Sequence, residues 1–213
     1  MVVAGDVSNA DDVNAIITRT IDEFGKIDHV FNNAGIQGVG APIVDTAKAD
    51  FDELIAINLI GPWLMMRSVL RVMIPSGRPG AIVNTSSFLS TAATVGTSAY
   101  SASKAGLDAL IRAGALETGP HDIRNNNINP GVIDTPMLHG HVDAIIPPLA
   151  ARAALGRIDT PADIADVAVW LCTDEARFIT GQSILVDGAS RSLGRGEFSN
   201  RICVCTGVTI GGN

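Results

Sequence analysis

The chain is 213 residues long, 46% hydrophobic and 17% charged, which suits one folded domain with a sizeable core and excludes a disordered polar chain. Its 15 basic residues stand against 22 acidic ones, a formal charge of −7 with no run of Lys and Arg, so a nucleic-acid surface is excluded as well. The cysteines, Cys172, Cys203 and Cys205, form no disulfide framework, and with the histidines scattered no metal site is expected.

In chain order, residues 1–4 are a short apolar run ending at Gly5-Asp6-Val7 and read as the end of a buried strand. Ser8 reads as a helix N-cap, with Asp11 and Asp12 in the first turn where the helix dipole favours negative charge. Val13, Ile16, Ile17, Thr20, Ile21 and Phe24 follow at helical spacing, and Gly25 closes that helix. Residues 29–31 are a second strand leading into Asn32-Asn33-Ala34-Gly35, and residues 48–73 carry a long helical pattern. Asn58, Pro62, Arg67 and Arg71 interrupt its most apolar part, 54–74, and argue against a membrane span. No basic segment followed by an apolar run opens the chain, which points to a soluble, cytoplasmic protein.

Residues 81–84 predict a third strand and 99–117 a further helix closed by Gly119-Pro120. Residues 123–129 predict a fourth strand, although its asparagines are unusually polar for a buried one. Residues 136–157, with Pro147 and Pro148 adjacent, read as a mobile, partly helical cover. Thr160-Pro161-Ala162-Asp163 starts a helix with proline in its first position, and 183–186 is the last strand. Strands alternating with helices predict a parallel sheet covered on both faces, whose ligands bind beyond the carboxyl ends of the strands. Asp6, Asn32, Ser87 and Pro130-Gly131 each follow a predicted strand, so all gather along one edge.

The chemistry concentrates in SFLSTAATVGTSAYSASK, residues 87–104. Tyr100 and Lys104 are four residues apart, on one face of a helix, with Ser87 thirteen residues before the tyrosine. A free phenol, with a pKa of roughly 10, is a poor base at neutral pH. An ammonium one turn away stabilises the phenolate and lowers that value, making a usable proton donor and acceptor. A serine hydroxyl delivered from a strand end can hold a substrate oxygen as its charge changes. The pattern alone is equally a surface pair on an amphipathic face.

Taken with Gly5-Asp6-Val7, Asn32-Asn33-Ala34-Gly35, Asn58 before Gly61, Val83-Asn84-Thr85-Ser86-Ser87, Asn129-Pro130-Gly131 with Thr135, and Thr180-Gly181-Gln182 before Val186-Asp187-Gly188, the chain resembles the short-chain dehydrogenase/reductase family from about Gly5 to Gly188. The resemblance implies a Rossmann-like α/β domain over 1–189, followed by an atypical tail over 190–213. It implies hydride transfer between NAD or NADP and a secondary alcohol or ketone. In that reading Tyr100 is the general acid/base, Lys104 lowers its pKa and holds the nicotinamide ribose, Ser87 bonds the substrate oxygen, and Asn58 fixes a water linked to Lys104. For the cofactor, Asp6 and Val7 would meet the adenine, Asn32 the adenosine ribose, and Ala34 and Gly35 would allow close backbone approach. Pro130, Gly131, Ile133 and Thr135 would lie toward the nicotinamide and phosphate.

Competing readings stand beside several of these. Asp6 is also a helix-start cap, Asn58 a helix kink beside Gly61-Pro62, and Thr135 a cap before Pro136. His139 and His141 read as solvent-facing or substrate-contacting. The family's first two strands, with a glycine-rich pyrophosphate turn, would occupy about sixty residues before this chain's first, so its sheet should lack two strands. The stretch 201–213 faintly resembles that missing strand and turn and could add beside the strand leading to Asn32; an unrelated end is the competing view. A catalytically silent remnant that cannot hold dinucleotide, acting at most as an assembly partner, is the alternative function. The family resemblance further implies a homodimer or homotetramer paired through the two large helices.

Overall fold

The computed structural model describes residues 1–139 and 146–190. Four parallel strands form the sheet in the order β1 (His29–Asn32), β2 (Gly80–Thr85), β3 (Ile123–Pro130), β4 (Ser183–Val186). Every connection crosses over through helix, as parallel pairing requires. Residues 1–4 form no strand, contrary to their apolar pattern. A strand needs a neighbour to take its backbone hydrogen bonds, and this run pairs with none of the four.

Helix α1 (Ala10–Phe24) starts one residue later than its sequence suggests. Its N-cap is Asn9, whose Oδ1 accepts from the Asp11 and Asp12 amides, while Ser8 turns its hydroxyl to Asp6. Gly25 closes the helix at φ 73°, a left-handed conformation that suits glycine. The long helical run Lys48–Ser76 holds three segments: α2 (Lys48–Ile55), a π-helical turn over Ala56–Ile60, and α3 (Gly61–Ser76). Pro62 has no N–H to continue the ladder, and the wider turn carries the helix past it. An 18-residue window within these 29 residues has a mean hydropathy of 1.3, so by length and composition alone the run could cross a membrane, a test that core helices also pass. Here it serves as a core helix, with Leu64, Met66, Val69 and Met73 buried.

Helix α4 (Ser98–Thr118) follows β2, and α7 (Pro161–Cys172) follows the short helices α5 (Pro136–His139) and α6 (Ile146–Arg152). The helix starts at Thr160 with Pro161 in the first turn, as the sequence predicts, and Thr160 and Asp163 add a reciprocal capping box. One core lies between the sheet and α1, α3 and α4, around Ile17, Val69, Met73, Ile82 and Ile123 with Leu110 against them. The other lies under α7, around Val83, Ile128, Ile164 and Leu171. Alternation along β2 sends Ile82 to one core and Val83 to the other, giving the two-sided cover expected of a parallel sheet.

The asparagine-rich β3 is buried, and its amides bond across the sheet. Asn32 donates to Asn84 (2.8 Å), and Asn84 reaches Asn125 (3.3 Å), a polar line across three strands on one face. On the opposite face Asn126 donates to the Ile179 carbonyl (2.9 Å) and accepts from the Gln182 amide (3.1 Å). Burial of polar side chains is tolerated where such partners exist.

Candidate active site

The carboxyl ends of the strands bring the candidate residues to one edge: Asn32 ends β1, Ser86 and Ser87 follow β2, and Gly131 follows β3. Ser87 is the N-cap of a single 3-10 turn, Phe88–Ser90; its Oγ accepts from the Leu89 amide (3.1 Å). That short turn sets the Ser87 hydroxyl near enough to the Tyr100 phenol to lower its pKa. Helix α4 carries Tyr100 in its first turn and Lys104 one turn later, and the Lys104 ammonium lies over the phenol ring, 5.6 Å from its centroid. The expected Ser87, Tyr100 and Lys104 therefore meet.

Their electrostatics differ from the sequence expectation. Burial pushes the Tyr100 phenol above its ordinary value, and the Ser87 hydrogen bond pulls it only partly back. Lys104 was expected to lower it, but its Nζ donates to the Thr85 carbonyl (2.7 Å) and faces the ring rather than the hydroxyl. Lys104 is 4% exposed; burial lowers its pKa to about 8, with the charge of Asp108 opposing that fall.

Asn58 lies in the π-helical turn and is fully buried. Its Oδ1 accepts from the Ile36 amide (2.9 Å) and its Nδ2 donates to the Ile36 carbonyl (2.7 Å), so the side chain anchors the loop after β1 and is not bonded to Lys104. A Cβ on Gly35 would stand 3.1 Å from Asn58 Oδ1 and 3.8 Å from Lys104 Nζ, which ties the Asn33–Gly35 turn closely to the site.

The residues expected to meet a dinucleotide divide. Val7, Asn32, Asn33 and Ala34 line an open cleft of about 100 Å³ with Gly61, Pro62 and Met65. The Asn32 side chain itself turns into the sheet toward Asn84, leaving its backbone on the cleft. Asp6 is exposed, and its carboxylate accepts from both the Ser8 amide (2.8 Å) and hydroxyl (2.7 Å), the helix-start arrangement rather than a free acceptor. Pro130 is buried and Gly131 lies so close to β4 that a Cβ would sit 2.7 Å from Asp187 Cβ. Ile133 makes a parallel bridge to Asp159, and Thr135 caps the first turn of α5, its carbonyl accepting from the Leu138 amide. The cleft at Val7 and Ala34 and the close approach of Gly35 to Lys104 fit a dinucleotide lying along the strand ends. His141 and the tail proposed to add beside β1 lie outside the described residues.

Sequence reading missed Asp108. It lies one turn beyond Lys104, 5% exposed, and accepts from Asn127 Nδ2 (2.8 Å) and Asn129 Nδ2 (3.0 Å). Burial alone would raise its pKa, but hydrogen bonds from Ser90, Ser86, Asn127 and Asn129 hold it below the ordinary carboxylate value. The only signal in the sequence was an acid at i+4 from Lys104 on an otherwise apolar helix face.

Comparison with known proteins gives the geometry its context. A family model described as enoyl-(acyl carrier protein) reductase matches residues 1–189. The chain is 34% identical over 191 residues to a 2,5-dichloro-2,5-cyclohexadiene-1,4-diol dehydrogenase of Sphingobium indicum, covering 88% of this chain and 76% of that one. It is 35% identical over 185 residues to a 3-alpha-(or 20-beta)-hydroxysteroid dehydrogenase of Mycobacterium bovis, covering 87% and 68%. The crystal structure of levodione reductase superposes with a TM-score of 0.82 at 34% identity, over 89% of this chain and 76% of that one. With this fold and this arrangement of serine, tyrosine and lysine, the chain belongs to the short-chain dehydrogenase/reductase family of oxidoreductases.

Proposed function

We propose that the chain moves hydride between NAD or NADP and a small secondary alcohol or its ketone, with Tyr100 as the general acid/base. The observation that carries this reading is the meeting of three groups: the Ser87 hydroxyl acting on the Tyr100 phenol, and the Lys104 ammonium over the same ring. Relatives named as diol, hydroxycyclohexanecarboxylate and hydroxysteroid dehydrogenases support an alcohol substrate. The bound nicotinamide would supply or accept the hydride. In reduction Tyr100 gives its proton to the carbonyl oxygen while Ser87 donates a second hydrogen bond to it; in oxidation Tyr100 takes the alcohol proton. The Lys104 ammonium has three donors, of which Thr85 takes one, so it can hold a ribose hydroxyl. Val7, Ala34 and Gly35 would bear the adenosine end, with Gly131, Ile133 and Thr135 toward the nicotinamide. Asn58 keeps the loop after β1 in place beneath it.

Tyr100→Phe keeps the ring and removes the proton. The expected result with NADH or NADPH and a cyclic secondary alcohol or ketone panel is a loss of about 10²–10⁴-fold in kcat with KM nearly unchanged. An equal rate for the variant would refute the role.

A second reading has its own support. Phe31 is 45% exposed at the outer edge of β1, beside the proposed adenosine cleft, and this apolar surface leaves that end of the site open. The chain would then be a silent member of the family, serving at most in assembly. Exposed Ile60 and Trp63 on the long helical run, and Leu116 on α4, offer the apolar contacts for a homodimer or homotetramer. Fluorescence titration with NADH and NADPH separates the readings: saturable binding below millimolar supports the enzyme, and none supports the silent form.

A further inference from the structure

The two serines on either side of Ser87 are tied to α4 and its partners. Ser86, immediately before it, donates to the Lys104 carbonyl (3.2 Å), and Ser90, at the end of the turn that it caps, accepts from the Asn129 amide that also bonds Asp108; both serines help to lower the Asp108 pKa. The turn is closed on itself by the Ser90 amide donating to the Ser87 carbonyl (3.0 Å). Asn129 extends the connection: its Nδ2 donates to Ser90 Oγ (2.8 Å) and to Asp108 Oδ2 (3.0 Å), directly before Pro130-Gly131. Asn127 Nδ2 takes Asp108 Oδ1 (2.8 Å). One carboxylate on α4 thus joins the helix of Tyr100 and Lys104, the turn of Ser87 and the end of β3.

Resting on the proposed hydride-transfer reading, we propose that Asp108 is a positioning residue for this site: through Asn129 it holds the Ser90 end of the Ser87 turn, and it supplies the buried counter-charge one turn below Lys104. A buried carboxylate fixed by two asparagine amides is rigid and stays ionised, so it can do both. Its field opposes the loss of the Lys104 proton that burial promotes. Asp108 is the charge that raises the Lys104 pKa against that burial.

The test uses Asp108→Asn, which preserves shape and removes charge, and Ser90→Ala, which removes one prong and keeps the charge. Lys26, Lys48 and Lys104 are the only lysines of the chain, so a carbon-13 label at the lysine ε-carbon gives three signals, and Lys104 is identified by its loss in Lys104→Met. In the cofactor-free protein the wild-type Lys104 signal should titrate near pH 8, and lower in Asp108→Asn. Ser90→Ala should leave that titration in place. Both variants should lose kcat, by about 10²-fold for a misplaced reacting group, with KM close to wild type. In Asp108→Asn the high-pH loss of activity should also move to lower pH. An unchanged Lys104 titration in Asp108→Asn, or kcat within twofold of wild type in Ser90→Ala, overturns the proposal. Should Asp108→Asn not fold, Ser90→Ala decides by the same criterion. Should wild type transfer no hydride, the functional reading fails by itself, and the Lys104 titration still tests the charge coupling.

Discussion

Lys104 shows how one residue serves the site at a cost to the fold. Its pKa falls from 10.5 to about 8 because the ammonium is buried. Between those values the unfolded chain binds a proton that the folded one has released, so stability rises with pH across that window. Below about pH 8 the cost of burying the charge is present in full, on the order of 3 kcal/mol less what the Thr85 bond returns. Urea unfolding of Lys104→Met between pH 7 and 10.5 should show this rise abolished, since Met carries no charge to bury. The spacing of Ser87, Tyr100 and Lys104 was legible in the sequence because a helix and a strand end fix where each residue points. The direction of the Tyr100 shift was not, because it depends on how deeply the ring is buried and on where the Lys104 amine finds an acceptor. Asp108 was hidden for the same reason: its partners, Ser86, Ser90, Asn127 and Asn129, come from distant segments.

Among elements, helix ends and strand cores were read well and their irregularities poorly. The helix start at Thr160-Pro161 and the glycine at 25 are local signals, complete within a few residues, and both recur in the structure. The N-cap at Asn9 displaced Ser8 because Asp6 competes for the serine hydroxyl. The π-helical turn at Asn58 was foreseen only as a kink, since the bond from Asn58 to Ile36 that uses it spans two elements. Gly131 marks a tight junction, between the end of β3 and the residue after β4. Gly131→Ala would place its methyl carbon 2.8 Å from the Asp187 backbone, which can move only by parting the two strands. Thermal or chemical unfolding should record a loss of about 1–3 kcal/mol, the usual cost of overpacking. Wild-type stability in this variant would show that the junction yields freely.

Across the whole molecule, both edge strands lack a second neighbour among the described residues: β1 pairs only with β2 and exposes Phe31, and β4 pairs only with β3 and exposes Leu185. An unpaired edge with an exposed aromatic favours pairing with another chain. Phe31→Lys should reduce concentration-dependent light scattering without altering the circular dichroism of the fold; scattering equal to wild type would locate self-association elsewhere. By itself the sequence determined the helix and strand periods, the parallel α/β class and the grouping of Ser87, Tyr100 and Lys104, because each follows from spacing within one element or from the rule that parallel strands present their carboxyl ends together. Only the tertiary structure decided that residues 1–4 form no strand, that Asn84 bridges Asn32 and Asn125 across the sheet, and that Asp108 gathers the amides of Asn127 and Asn129. Those outcomes turn on which distant groups arrive as hydrogen-bond partners, and a buried polar group is settled by its partner rather than by its neighbours in sequence.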